Sequence, residues 1–163
     1  MRIATLIAAF ALAVGLAGPA LADPPAGRAG DIVVTGAEVR ASLGDAPNTA
    51  AYMVIENTGG RPDRLLSVTC ACADEAKVHI TRAMNGMMMM EPAGPVVVPA
   101  HGRLALRPGA MHVMLTGLKG RLVDGGRQAM TLTFERAGPV RVSFRVRDRI
   151  GGGEMGPMPG MSH

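Results

Sequence analysis

Tryptophan is absent from this 163-residue chain, tyrosine occurs once and phenylalanine three times. Surfaces that hold nucleic acid stack bases on aromatic rings beside concentrated positive charge. Here the net charge is only +4, with Arg2 near the N-terminus contributing one of those charges, so nucleic acid is excluded as a partner. Catalytic patterns are missing as well. No nucleophile stands with a paired base, no carboxylate pair sits among metal-ligand residues, and no glycine-rich phosphate loop is present, so the chain is read as a non-enzyme. A sustained helical period is also lacking.

The longest apolar run is at the N-terminus. Arg2, the stretch Ile3 to Ala17 and the small-residue end Ala20-Leu21-Ala22 read as a secretory signal peptide over residues 1–22. The run is too short for a membrane span, and Asp23 rather than cysteine follows it, so no lipid acceptor stands at the cleavage point. The mature chain is expected to carry no transmembrane segment. Its size suits one core, and one domain is expected over 31–148. The Pro- and Gly-rich residues 23–30 are expected to be a flexible arm. Residues 149–163, with the ending GGGEMGPMPGMSH, are expected to be a Gly/Met/His tail too rich in Gly and Pro for regular structure.

Between these ends lie short alternating stretches at 31–41, 50–57, 63–71, 76–82, 87–91, 95–98, 103–107, 111–116, 127–136 and 139–147. Turn signals such as Asn85-Gly86 and Pro108-Gly109 separate them. The pattern predicts an all-β, antiparallel sandwich or barrel. In the last stretch Val140, Val142, Phe144 and Val146 share one phase, and Arg141, Ser143, Arg145 and Arg147 the other. One face of that strand should therefore be dry and the other wet.

What the chain does have is methionine: thirteen, of which only Met1 lies in the leader. Methionine is ordinarily a core filler, so the positions matter more than the number. In AKVHIT the apolar phase is Val78 and Ile80, which turns His79 the other way. In MHVMLT it is Val113 and Leu115, which sends His112 and Met114 outward together on one face. The run Met87 to Met90 puts two thioethers on either face, Met88 in phase with Met90. Imidazole with thioether, without carboxylate or thiolate, is a neutral soft donor set that favours Cu(I). Thioethers also survive in an oxidising compartment where thiols are lost. A blue-copper electron carrier would need a thiolate near the second histidine, and no cysteine follows Cys72.

The spacing His79, ten residues, Met90, twenty-one residues, His112-Val113-Met114 resembles the H-x10-M-x21-H-x-M pattern of the PCuAC family, periplasmic copper chaperones for the copper-A centre of cytochrome c oxidase. The segments AAYMVIENTGGRPDRLLSV and VPAHGRLALRPGAMHVML resemble that family too, and the likeness extends over about residues 31–148. The resemblance implies a cupredoxin-like β-sandwich (Greek key) that holds one Cu(I) near its surface through His79, Met90, His112 and Met114. It further implies a periplasmic monomer that delivers the ion to the copper-A subunit of the oxidase or to a thiol-containing assembly protein. Copper storage or resistance, and a structural sandwich without metal, are the alternatives.

Several residues fall outside that pattern. Met88 could substitute for Met90. Met155, Met158, Met161 and His163 could hold a second copper on the tail. Cys70 and Cys72 are expected to be two buried thiols or a bridge in phase with Leu66 and Val68, the functional alternative being a second soft-metal or redox site. His101, in the turn VPAHGR, is read as exposed and without a role.

Overall fold

The computed structural model describes residues 25–149, which form strands and turns without a helix. In chain order the strands are β1 Gly27–Ala29, β2 Ile32–Arg40, β3 Asn48–Asn57, β4 Asp63–Thr69, β5 Ala73–Met84, β6 Met87–Pro92, β7 Val96–Val98, β8 Gly102–Leu106, β9 Met111–Leu118, β10 Arg127–Phe134 and β11 Gly138–Arg147. All but β1 coincide with the stretches between turn signals in the sequence. β1 falls within the expected flexible arm and corrects it: Gly27, Arg28 and Ala29 pair with Val34, Val33 and Ile32. The glycine there serves close approach, because a Cβ on Gly27 would lie 2.7 Å from the Arg141 carbonyl oxygen.

The strands follow one path, β6-β5-β9-β3-β2-β11-β10-β4-β7, with β8 beside β3 and β1 beside β2. β3 is shared along its length: Asn48–Ala51 pair with β9, and Met53–Asn57 with β8. Every pairing is antiparallel except β11 with β2, which is parallel over Arg145, Val146 and Arg147. The path folds over itself, so β4 lies against β5 and β7 against β8 and β3. The result is an all-β sandwich around one core.

β11 behaves as its alternation predicts, with Val140, Val142, Phe144 and Val146 buried and Arg141, Arg145 and Arg147 exposed. Beside them on the paired strand β10 lie Phe134, Leu132 and Met130, and Met53 and Ile55 of β3 belong to the same core. β4 departs from simple alternation. Its register shifts opposite Thr133 and Phe134, so Leu65 and Val68 are buried and Leu66 is exposed. Such a bulge puts two residues where the partner has one and reverses the phase beyond it, so Leu66 does not share a face with Val68 as expected.

Buried polar side chains fasten the loops. The Asp63 carboxylate accepts hydrogen bonds from the backbone N–H groups of Arg64, Arg136 and Ala137 at 2.7, 2.9 and 2.9 Å. Asn57 donates to the Arg61 carbonyl at 2.7 Å and accepts from the Gly59 N–H at 3.0 Å. Gly59 lets the Asp31 side chain close over that turn, since a Cβ would fall 2.2 Å from its carboxylate oxygen and push it aside. These groups account for much of the AAYMVIENTGGRPDRLLSV segment: it closes the end of the sandwich.

Candidate metal centre

β5 and β9 lie side by side, and their register sets His79 directly opposite His112, with Val78 opposite Val113 and Lys77 opposite Met114. Directly opposed residues point to the same side of a sheet. The valines enter the core, so the two imidazoles stand together on the other face. Their ring centroids are 6.2 Å apart, edge to face, and the Tyr52 ring of β3 continues the row at 6.4 Å from His112. Met114 lies two residues from His112 on the same strand face, roughly 7 Å along by strand rise.

β6 is the edge of the sheet and pairs with β5 through a two-residue turn. Asn85 and Gly86 both have positive φ, 51° and 77°, which this tight hairpin needs. The register puts Met90 opposite Thr81 and Met88 opposite Ala83, so both thioethers are on the face of His79, with Met90 the nearer by one step. Met90, His112 and Met114, with Tyr52 and Thr81, line one open cavity of about 350 Å³. Neither Met88 nor His79 is part of that lining; His79 adjoins it through its pairing with His112. Met111 has the opposite phase from His112 and packs against the core.

His112 is only 5% exposed, and its Nδ1 lies 3.3 Å from the Ala110 carbonyl oxygen. Protonated there, Nδ1 donates to that carbonyl and leaves Nε2 with a free lone pair, the arrangement that orients a metal-binding imidazole. His79 is different: its Nδ1 is buried and has no hydrogen-bond partner. Leaving such an atom unpaired costs about 1–3 kcal/mol, which a coordinate bond would offset. Burial holds the His79 pKa below its ordinary value, and His112 beside it pushes the same way; Glu75 acts in the opposite sense and Lys77 lowers it again. His79 is therefore the neutral, lone-pair form at pH 7. Lys77 shares the site face, and its ammonium is engaged by Glu75.

Among the described residues no three or more His, Cys, Asp or Glu side chains gather as a metal site. The donors that accompany the two imidazoles on this face include the thioethers of Met90 and Met114, a set that suits Cu(I) better than hard cations or zinc. The residues present fit a soft monovalent ion.

The other sequence candidates lie elsewhere. Cys70 and Cys72 form a disulfide with Cα atoms 5.1 Å apart, made close by the turn that follows β4. Neither sulfur is a thiolate in this state. Met155, Met158, Met161 and His163 lie outside the described residues. His101 is exposed at a turn with φ 49°. Sequence reasoning passed over Tyr52 as a site residue. The available signal was its phase, since it alternates with Ala51 and Met53, which are buried.

Residues 32–146 match the family described as "Putative lipoprotein LpqE-like". The chain belongs to the LpqE-like family. A curated relative of this LpqE-like chain is "Putative lipoprotein Lxx21020" of Leifsonia xyli subsp. xyli, 34% identical over 93% of this chain and 92% of the relative. Among solved structures, the "Copper-bound PCuAC domain from PmoF2" is similar with TM-score 0.65 and 28% identity, over 75% of this chain and 97% of that one. The "Solution structure of CuI-DR1885" from Deinococcus radiodurans is similar with TM-score 0.59 and 31% identity, over 71% and 77%. The LpqE-like fold is thus similar to that of PCuAC domains, copper-bound ones among them.

Proposed function

We propose that this LpqE-like chain is a Cu(I) metallochaperone of the cell envelope. Its cargo is held by His79, Met90, His112 and Met114. The observation that carries this reading is the convergence of His79 and His112 across β5 and β9, with an unpartnered buried Nδ1 on one ring and the thioethers of Met90 and Met114 lining the same cavity as the other. The likeness to copper-bound PCuAC domains supports it. The cell-envelope placement rests on the leader-like residues 1–22 and on relatives named as lipoproteins. We propose export to the periplasm on the strength of that leader.

The ligands differ in how readily they let go. His112 is buried and tied to Ala110, whereas Met90 is 53% exposed on an edge strand. An acceptor's sulfur or imidazole displaces Met90 first while His112 still holds, so the ion changes hands without being free. The acceptor is the copper-A subunit of cytochrome c oxidase or a thiol-containing protein that assembles it. Anaerobic Cu(I) titration followed by X-ray absorption tests the reading: one tightly held equivalent with both nitrogen and sulfur neighbours is expected, and a first equivalent without sulfur overturns it. Mixing the loaded protein with a copper-depleted acceptor separates delivery from storage.

A further inference from the structure

The β5–β6 hairpin carries a second set of methionines that the centre above does not use. β9 begins at Met111, opposite Ile80, and the Thr81 N–H still donates to the Ala110 carbonyl at 3.2 Å, so from Arg82 onward the hairpin extends past its neighbour with only its own two strands paired. On the face turned away from His79 the register sets Met84 directly opposite Met87 and Arg82 opposite Met89. Met87 and Met89 are two residues apart on β6, so all three thioethers share one face of the hairpin tip.

Packing does not explain them. Met53 and Met130 show how this fold uses methionine in its interior, being almost wholly buried, whereas Met84, Met87 and Met89 are 50–67% exposed. An exposed cluster of large apolar side chains is unusual for a surface strand. Directly opposed residues have Cβ atoms roughly 5 Å apart and the i, i+2 step is roughly 7 Å. Unbranched side chains with three rotatable bonds can bring their sulfurs together over such spans. The one cation on this face is Arg82, and its Nε lies 3.1 Å from a Glu91 carboxylate oxygen, so the charge that would repel a metal ion is neutralised.

We propose that Met84, Met87 and Met89 form a second Cu(I) site, made of thioethers alone, on the hairpin face opposite His79. Three neutral sulfurs offer little to a hard cation or to zinc, and the one carboxylate on the same face, Glu91, is paired with Arg82. Exposed on a projecting edge, the site takes and releases its ion quickly and holds it more weakly than the histidine-bearing centre. None of its ligands belongs to that centre, so the two sites stand or fall separately.

The test uses the chain without its leader, loaded anaerobically with Cu(I) buffered by a chromogenic chelator. M84I/M87I/M89I is compared with the parent, and again in a background carrying H79A/H112A. The triple variant is expected to bind one equivalent fewer in both backgrounds. Met155, Met158 and Met161 are present throughout, so any metal they hold cancels in the comparison. Equal stoichiometry with and without the three methionines overturns the proposal. Loss of an equivalent in H79A/H112A alone reports on the first centre instead. Should the triple variant lose its native circular dichroism, methyl NMR of the parent titrated with Ag(I) decides. Shifts of the Met84, Met87 and Met89 methyls beyond the first equivalent support the site, and unmoved methyls overturn it.

Discussion

His79 and His112 are cross-strand partners whose rings meet edge to face at the centre of a four-strand row that runs from Pro92 to Tyr52. Replacing either with alanine should lower Cu(I) affinity by at least ~100-fold, since even groups that merely orient a metal ligand cost 10–100-fold when lost. The two should differ in stability. His112→Ala leaves a hole beside Tyr52 in a buried position, while His79→Ala removes an unpaired polar atom. Competition titrations with denaturation curves of the metal-free proteins read both effects.

Met90 and Met88 share a face but differ by one step in register. Met90→Ile should speed release of Cu(I) to a chelator by about tenfold, equivalent to roughly 1.4 kcal/mol of lost binding if the on-rate is unchanged. Met88→Ile should leave the rate within about twofold. Stopped-flow transfer measures this, and equal effects at the two positions would show that the hairpin can slide either sulfur into place.

The depressed pKa of His79 gives a signed pH dependence. Well above 6.5 the group is neutral in both folded and unfolded chains and contributes no slope. As pH falls below that value the unfolded chain takes up a proton first, so the unfolded state gains and stability drops until pH passes below the folded pKa. Urea midpoints of the metal-free protein between pH 7.5 and 5 should therefore decline more steeply for the parent than for His79→Ala. Copper affinity should hold down to lower pH than an ordinary imidazole would allow.

Asp63 tests the scaffold without touching the centre. Three backbone N–H groups lose their acceptor in Asp63→Ala, which should cost about 2–4 kcal/mol. The folded fraction should keep its Cu(I) affinity, because these bonds close the far loops. Thermal unfolding with and without the metal separates the two quantities.

Much of this molecule is legible in its sequence because strand alternation is local. The phases of Val140 to Arg147 and of His112 to Leu115 are as read, and so are the strand boundaries to within a few residues. Register between strands is not local. That His79 faces His112, or that Thr81 and not Ala83 opposes Met90, depends on which strands become neighbours, and nothing within either stretch encodes it. β1, three residues long, has no apolar period to announce it: only Ala29 packs against the core, and the rest of its hold is backbone pairing with β2. Leu66 was misplaced because one extra residue in a bulge inverts every phase after it.

The parallel pairing of β11 with β2 has a practical consequence. Ala41 donates its N–H to the Arg147 carbonyl, and Arg40 and Ala41 help line the cavity that holds Met90, His112 and Met114. The last described strand thus ends beside the mouth of the metal centre, whereas β1 meets β2 near Val34, roughly 20 Å further along that strand. A polyhistidine handle fused directly after Arg149 would start beside this cavity and compete for Cu(I) loaded there; the same handle placed ahead of residue 25 would start from the opposite end of β2.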